Sequence, residues 1–465
     1  MTSGLPNDDT IVALASPPGR GGVAVIRVSG DTASAVARAI VGDLPEPRRA
    51  SLRRFRDQAG EAIDNGLVLY FPAPNSFTGE DVIEFHAHGG SMVTDLLLQR
   101  CAQLGARLAR PGEFSQRAFL NDRLDLAQAE AIADLIDSGS AQAARAAVRS
   151  LQGEFSAHVN DLVRGLTALR VYVEAAIDFP EEEVDFLADQ GILDRLQELR
   201  VGFEDLAVRA GQGAILRQGM SVVLAGRPNA GKSSLMNRLT GEDTAIVTAQ
   251  PGTTRDVLRE QISIDGMPLH VVDTAGLRAA GDSAEIEGIR RARSAMEQAD
   301  QVLLVIDASD APDGVDGVSQ ETLSQVLPEG MLSELPDPSV FTIVRNKIDL
   351  SGDSPGLEQR AGVSVVNLSA LTGAGVGALR DHLKLLMGYQ AAGEGALSAR
   401  RRHLDALAQA RAHLEEAVHQ LEKYRAGELV AEELRLAQDK LGLITGEVSS
   451  DDLLGQIFSS FCIGK

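Results

Sequence analysis

Tryptophan is absent from this chain, cysteine occurs twice, and aromatic residues make up only 4% of it. Cys101 and Cys462 are too few for a disulfide framework or an all-cysteine metal site. No run approaches the roughly 20 consecutive apolar residues of a membrane-spanning helix. Residues 1–10 are polar and acidic, without the basic-then-apolar order of a secretory signal. A cytoplasmic protein with no membrane partner is expected. Positive charge is also scarce: 44 Lys and Arg face 66 Asp and Glu, a net −22. A surface that gripped nucleic acid over its whole extent would be basic, so any nucleic acid must be held by local patches or by a partner. Two basic clusters exist, Arg48, Arg49, Arg53, Arg54, Arg56 and Arg400, Arg401, Arg402, His403. Each reads first as solvated surface, as does the acidic run Glu181–Glu183 with Asp185.

The 465 residues suffice for about two to four domains. Residues 10–120 mix strand-like runs (Gly22–Val28, Asn65–Tyr70, Asp81–Phe85) with Gly/Pro turns and a helical stretch at Met92–Leu104, which predicts an α+β domain. Residues 125–212 carry apolar side chains at spacings of three and four, the pattern of helices. Residues 218–384 alternate buried-strand runs (Ser221–Ala225, Leu269–Val272, Gln301–Ile306, Val340–Val344, Ser364–Leu368) with helical segments, which predicts a parallel, doubly wound α/β sheet. Helical texture returns at 396–445. The segment Asp307–Glu329, rich in Gly, Asp, Ser and Pro, reads as a surface excursion.

Four motifs stand in order in the α/β region: Gly226-Arg227-Pro228-Asn229-Ala230-Gly231-Lys232-Ser233, then Thr253-Thr254-Arg255-Asp256, Asp273-Thr274-Ala275-Gly276 and Asn346-Lys347-Ile348-Asp349. The first has Walker A spacing after an apolar strand. Small residues let backbone N–H groups wrap phosphates, Lys232 neutralises the β- and γ-phosphates, and the Ser233 hydroxyl is a Mg²⁺ ligand. Thr254 is placed to complete the Mg²⁺ shell when GTP is present. Asp273 suits the outer metal shell and the Gly276 N–H suits the γ-phosphate; both loops are expected to order with GTP. The Asp349 carboxylate can accept two N–H bonds from a guanine edge, which adenine does not offer. Ser369-Ala370 follows the next strand, where such GTPases place a Ser-Ala pair beside the guanine; Leu371 stands where lysine is commoner. The expected nucleotide contacts are therefore Asn229, Ala230, Gly231, Lys232, Ser233 and Ser234, then Thr248, Ala249, Gln250, Pro251, Gly252, Thr253 and Thr254, then Asp273, Thr274, Ala275 and Gly276, and on the base side Asn346, Lys347, Asp349, Ser369 and Ala370.

One residue is missing from this set. Many GTPases follow the third motif with the glutamine that orients the attacking water; here the position is Leu277. Hydrolysis must use another arrangement.

Further blocks lie outside the α/β region: Asp9-Thr10-Ile11-Val12-Ala13, Pro17-Pro18-Gly19-Arg20-Gly21-Gly22, Ile26-Arg27-Val28-Ser29-Gly30, Asn75-Ser76-Phe77-Thr78-Gly79-Glu80-Asp81, His88-Gly89-Gly90, Arg110-Pro111-Gly112-Glu113-Phe114, Asn121-Asp122-Arg123-Leu124-Asp125-Leu126 and the terminal Phe461-Cys462-Ile463-Gly464-Lys465. With the four motifs, these make the chain resemble, over its whole length, the MnmE (TrmE) family of tRNA-modification GTPases. The resemblance implies an α/β P-loop GTPase domain (217–385) inserted into an α-helical domain (123–216 and 386–465), preceded by an α+β folate-binding and dimerisation domain (1–122). It implies modification of carbon 5 of the tRNA wobble uridine, by carboxymethylaminomethyl or aminomethyl addition. The implied partners are a second copy of the chain, the flavoprotein MnmG (GidA) and tRNA. The implied one-carbon source is 5,10-methylene- or 5-formyl-tetrahydrofolate, with glycine or ammonium as amine.

The resemblance also supplies a substitute for the missing glutamine. Potassium bridges the phosphates, a cation close to the developing charge, with Asn229, Thr248, Gln250 and Thr253 as ligands. Asn229 is equally an ordinary turn residue that tolerates a left-handed backbone. Glu285 matches the family's catalytic glutamate, acting with Lys232, and Glu287 is a rival carboxylate. Arg27, Glu84, Arg123 and Lys465 match folate-binding positions, although Arg27 and Glu84 could equally be an exposed cross-strand pair. Cys462 is a candidate for the modification chemistry. The alternative function is a ribosome-assembly switch without modification chemistry, which the G domain alone would also permit.

Overall fold

The computed structural model describes residues 9–178, 190–242, 259–273, 290, 293–309, 340–360, 362–389, 395–424, 426–448 and 451–464. They fall into two compact units, one drawn from Met1–Ala133, Ser150–Gly202 and Asp405–Lys465, the other from Asp134–Arg149 and Phe203–Leu404.

The first unit holds a six-stranded sheet of β1 (Ile11–Leu14), β2 (Gly21–Ser29), β3 (Ser51–Arg56), β4 (Ala62–Phe71), β5 (Val82–Gly89) and β6 (Arg107–Leu108), in the order β3-β4-β5-β2-β1-β6. Only β1 and β6 run parallel; the other pairs are antiparallel. Side chains alternate between the two faces. One face (Val12, Ile26, Val28, Phe55, Val68, Ile83, Phe85) is buried under α1 (Ala33–Val41) and α2 (Ser91–Gln103). The buried residues of α1, at 33, 36, 37, 40 and 41, make the stripe of an amphipathic helix. Cys101 lies in this core, and burial pushes its thiol up to about 12, so it is inert at neutral pH. At the β1 edge the other face is covered by α3 (Glu113–Leu120), through Ile11, Ala13, Ala109 and Phe114. Toward β3 it is open: Leu52 and Leu67, directly opposite in register, are 69% and 42% exposed.

The helices α4 (Leu126–Ile136), α5 (Ala141–Leu151), α6 (Glu154–Asp178) and α7 (Gln190–Gln218) follow. In α6 the buried positions are Phe155, Val159, Leu162, Leu166, Leu169 and Val173. In the helix Gly427–Thr445, packed against it, the buried positions include Val430, Leu434, Ala437, Leu441 and Ile444. Both stripes step by four and three, the spacing that lets two helices interlock along a seam. Gly165 and Gly202 allow α6 and α7 to approach, since a Cβ on either would lie within 3.0 Å of Leu199 or Leu162. The C-terminal helix Asp451–Ser459 packs Leu454, Ile457 and Phe458 on Leu126, Ala129 and Phe119.

The second unit holds a seven-stranded sheet of β7 (Met220–Ala225), β8 (Arg259–Ile264), β9 (Met267–Asp273), β10 (Gln301–Asp307), β11 (Phe341–Asn346), β12 (Gly356–Arg360) and β13 (Val363–Asn367), in the order β12-β13-β11-β10-β7-β9-β8. The five inner strands are parallel and almost wholly apolar, as strands covered on both faces must be. The sheet departs from the all-parallel pattern expected from the sequence at both edges, where β8 and β12 are antiparallel. The β8–β9 hairpin turns through Asp265 (φ 50°) and Gly266 (φ 91°), positive at both central positions as a two-residue hairpin turn requires.

Candidate nucleotide-binding site

The loop Gly226–Gly231 leaves the buried end of β7 and enters α8 (Lys232–Glu242). Its conformation requires small residues. Gly226 has φ 146°, and a Cβ there would lie 2.2 Å from the Val305 carbonyl oxygen. Gly231 has φ 93°, with a Cβ position 2.1 Å from Asn346 Nδ2. Asn229 takes a left-handed φ of 64°, which asparagine tolerates. Lys232 is 6% exposed; its Nζ folds back over the loop and donates to the carbonyls of Gly226 (2.9 Å) and Arg227 (2.8 Å). Ser233 and Ser234 are exposed in the first turn of α8, where helix N–H groups favour anions.

Strand register brings the other motifs to the same edge. Leu224 lies opposite Asp273, Leu304 opposite Ala225, Asp307 opposite Asn346 and Arg345 opposite Asn367. The carboxyl ends of parallel strands are where ligands bind in open α/β sheets. Asn346, 2% exposed, joins two loops: its Nδ2 donates to Ala230 O (2.9 Å), and its Oδ1 accepts from Ala370 N (2.9 Å). Lys347, with φ 67°, reaches Asp307 at 2.6 Å. Burial opposes ionisation of Asp307, but its hydrogen bonds to Lys347 and Ser309 prevail and hold the carboxyl below its usual range. Asp349 is exposed and makes no side-chain hydrogen bond among the described residues. Ser369 is fully buried, and its hydroxyl accepts from Thr372 N.

The structure thus brings together Asn229, Ala230, Gly231, Lys232, Ser233 and Ser234 with Asn346, Lys347, Ser369 and Ala370; the backbone of Asp273 joins them at the sheet edge. Thr248–Thr254, Thr274–Gly276, Glu285, Glu287 and Lys465 lie outside the described residues, as do 181–185 and 310–329. The motifs did not flag two further residues of the second unit, of which Arg238 borders the site. Arg238 of α8 reaches the Ala370 carbonyl. Asp134 accepts from Arg217 (2.8 Å), Ser398 (2.7 Å) and Arg400 (2.9 Å). Arg400 is thus tied to a buried carboxylate and His403 is 1% exposed, so these two members of the second basic cluster are not solvated surface, whereas Arg401 is exposed.

In the first unit Arg27 and Glu84 are cross-strand partners, 2.8 Å apart and 22% and 16% exposed. The pair is more than a surface contact: the Arg27 guanidinium lies over the rings of Phe77 (5.5 Å) and Phe114 (5.7 Å), and His86 lies 3.3 Å from Glu84. Arg123 is exposed, with its stem beside Gly79, two residues from Phe77. Gly464 packs so closely on β1 that a Cβ would lie 2.3 Å from Leu14 O, and exposed Cys462 accepts from Gly112 N at 3.3 Å. A partly exposed ring, Phe77, with a cation and a carboxylate is a donor set that fits a flat heterocycle with an N–H edge, while Phe114 is fully buried beneath Arg27.

Beside this cluster Glu113, 2% exposed, receives Arg107 at 2.6 Å and 3.0 Å and the Arg110 N–H at 2.7 Å, with Arg117 at 3.5 Å. Burial works against its charge, but these donors outweigh it and lower the carboxyl from 4.5 to about 2. A depressed carboxyl contributes stability above its unfolded value and loses it as pH falls toward its folded value. Stability from Glu113 should therefore be complete at neutral pH and disappear between pH 4.5 and about 2. Glu113→Gln should weaken α3 by about 3 kcal/mol at pH 7, read as roughly hundredfold faster hydrogen exchange of its amides; unchanged exchange would deny the cluster a structural role.

The parallel core, the glycine-bound loop and the Asn346 junction at one edge place a P-loop GTPase fold within the second unit. Residues 10–123 match the family described as GTP-binding protein TrmE N-terminus, and residues 126–462 match the MnmE helical domain. The tRNA modification GTPase MnmE of Pseudomonas syringae pv. tomato is 59% identical over 459 residues, covering 98% of this chain and 99% of its own. That of Erwinia tasmaniensis is 58% identical over 460 residues, covering 99% and 100%, and that of Stutzerimonas stutzeri 59% over 462 residues, also 99% and 100%. This chain belongs to the MnmE family of tRNA modification GTPases, and it is a GTP hydrolase. No helix among the described residues is long and apolar enough to cross a membrane.

Proposed function

We propose that this GTPase works within a complex that modifies carbon 5 of the tRNA wobble uridine, with the flavoprotein MnmG and a tetrahydrofolate one-carbon unit, as a cytoplasmic homodimer. The observation that carries the reading is the pairing, in one chain, of the GTP edge built by Gly231, Lys232 and Asn346 with the Arg27–Glu84 cluster. The domain division proposed is 1–122, 123–216 with 386–465, and 217–385.

At the GTP edge Lys232 leaves the carbonyls of Gly226 and Arg227 to neutralise phosphate, Ser233 and Thr254 hold Mg²⁺, and Asp349 selects guanine. Asn229, with Thr248, Gln250 and Thr253, would hold K⁺, which would supply positive charge toward the reacting phosphate. Glu285 positions the water in place of the glutamine absent at 277. In the first unit Glu84 would accept the pterin N–H groups, Arg27 and Arg123 with Lys465 would take the carboxylates, and Phe77 would flank the site, with buried Phe114 supporting Arg27 from beneath. Exposed Leu52 and Leu67 on the open sheet face favour a second copy of the chain. Exposed Cys462 is the candidate thiol for the modification.

GTP hydrolysis should run at least about tenfold faster in K⁺ than in Na⁺ at equal ionic strength, given a cation at the developing charge; equal rates would remove potassium from the mechanism. A deletion strain should lack carbon-5 wobble modifications in its tRNA, by mass spectrometry of nucleosides, and their persistence would remove the proposed function.

A further inference from the structure

The loop Ser369–Gly375 contains no cationic residue, and Leu371, where lysine is commoner, is 77% exposed. A cation nevertheless reaches this corner from another element. Arg238, six residues into the helix that starts at Lys232, donates from Nε to the Ala370 carbonyl (3.1 Å) and from a terminal nitrogen to the Leu371 carbonyl. Its guanidinium lies along Gly373, where an added Cβ would be 3.7 Å from the central carbon. The other side of Ala370 is fastened too, because its N–H donates to Asn346 Oδ1. Both anchors lead back to the phosphate loop: α8 grows directly out of it, and Asn346 donates to Ala230 O.

We propose that Arg238 is a positioning residue for the guanine base, holding the 370–371 backbone so that the phosphate loop and the base-side loop grip one nucleotide as a single rigid piece. The proposal rests on the reading of Ser369–Ala370 as the guanine-side loop. A guanidinium spans two neighbouring carbonyls with fixed geometry, which an ammonium cannot do. A lysine at 238 would keep the charge but lose the planar fork that fixes the geometry of the two bonds. The bonds Arg238 makes to the 370–371 carbonyls hold the base-side loop, so its loss should affect how long the nucleotide stays and not how fast it is cleaved.

The test uses the full chain with fluorescent N-methylanthraniloyl-GDP and with GTP turnover. Arg238→Gln, which preserves most of the side-chain volume, should speed GDP release about tenfold and raise KM for GTP comparably, with kcat within about twofold of the parent. Arg238→Lys should fall between the two. Arg238→Ala should match the Gln variant, with thermal melting reporting any loss of fold. Unchanged GDP release in the Gln variant, or a fall in kcat at constant KM, would overturn the proposal. ADP release from the parent protein is the separate control. A parent that holds ADP as long as GDP has no guanine site, which overturns the underlying reading. A parent that prefers GDP, with Arg238 variants that release it at the parental rate, overturns only the role of Arg238.

Discussion

Gly231→Ala should weaken GTP binding roughly a thousandfold. The residue stands at φ 93°, where a Cβ is strained whatever the surrounding space. The new Cβ would also sit 2.1 Å from Asn346 Nδ2, and Asn346 is not a flexible end that can swing away. It is buried, and its amide serves Ala230 on one side and Ala370 on the other. Displacing it leaves a buried carbonyl and a buried N–H unpaired, each costing about 1–3 kcal/mol. Together with the backbone strain this suggests a loss of about 4 kcal/mol, or roughly a thousandfold in affinity. Titration with fluorescent GTP would measure it. Gly377→Ala, where a Cβ meets nothing within 4 Å, should bind GTP like the parent. Parental affinity in the Gly231 variant would mean that the Asn346 junction does not shape the site.

Glu285→Ala should keep nucleotide affinity and lose hydrolysis. On the proposed mechanism this carboxylate acts on the attacking water, a contact made only as the reaction proceeds. Removing such a contact lowers kcat without weakening ground-state binding. A water-positioning or general-base group contributes about 10²–10⁴-fold, so single-turnover hydrolysis should fall at least about a hundredfold. Glu287→Ala, two residues on, should change the rate little. The opposite pattern would transfer the role to Glu287.

The phosphate loop was legible because its chemistry is local: eight consecutive residues specify turn, cation and helix start. The inner strands were legible for a related reason. Strands covered on both faces are continuous apolar runs, and Ser221–Ala225 and Gln301–Ile306 coincide with β7 and β10 to within a residue at either end. Edge strands carry a weaker signal. In β3, Ser-Leu-Arg-Arg-Phe-Arg, exposure alternates, but the less exposed face carries Ser51 and Arg53 beside Phe55, so the sequence shows no apolar alternation. The β8–β9 hairpin did have a signal, Asp265-Gly266 between alternating residues, and its turn chemistry was overlooked in favour of an all-parallel reading. Arg27 and Glu84 were legible as a cross-strand pair. The rings of Phe77 and Phe114 beside them were not, since they come from a loop and a helix 50 and 87 positions from Arg27. Arg238 and Ala370 lie 132 positions apart, a separation at which no local pattern exists to read.

The most direct test of the central claim, that the GTP edge serves wobble-uridine modification, is nucleoside mass spectrometry of tRNA from a deletion strain carrying either the parent chain or Gly231→Ala. The account predicts that the parent restores the carbon-5 modifications while the variant, expressed to the same level, does not. Full restoration by Gly231→Ala would contradict it.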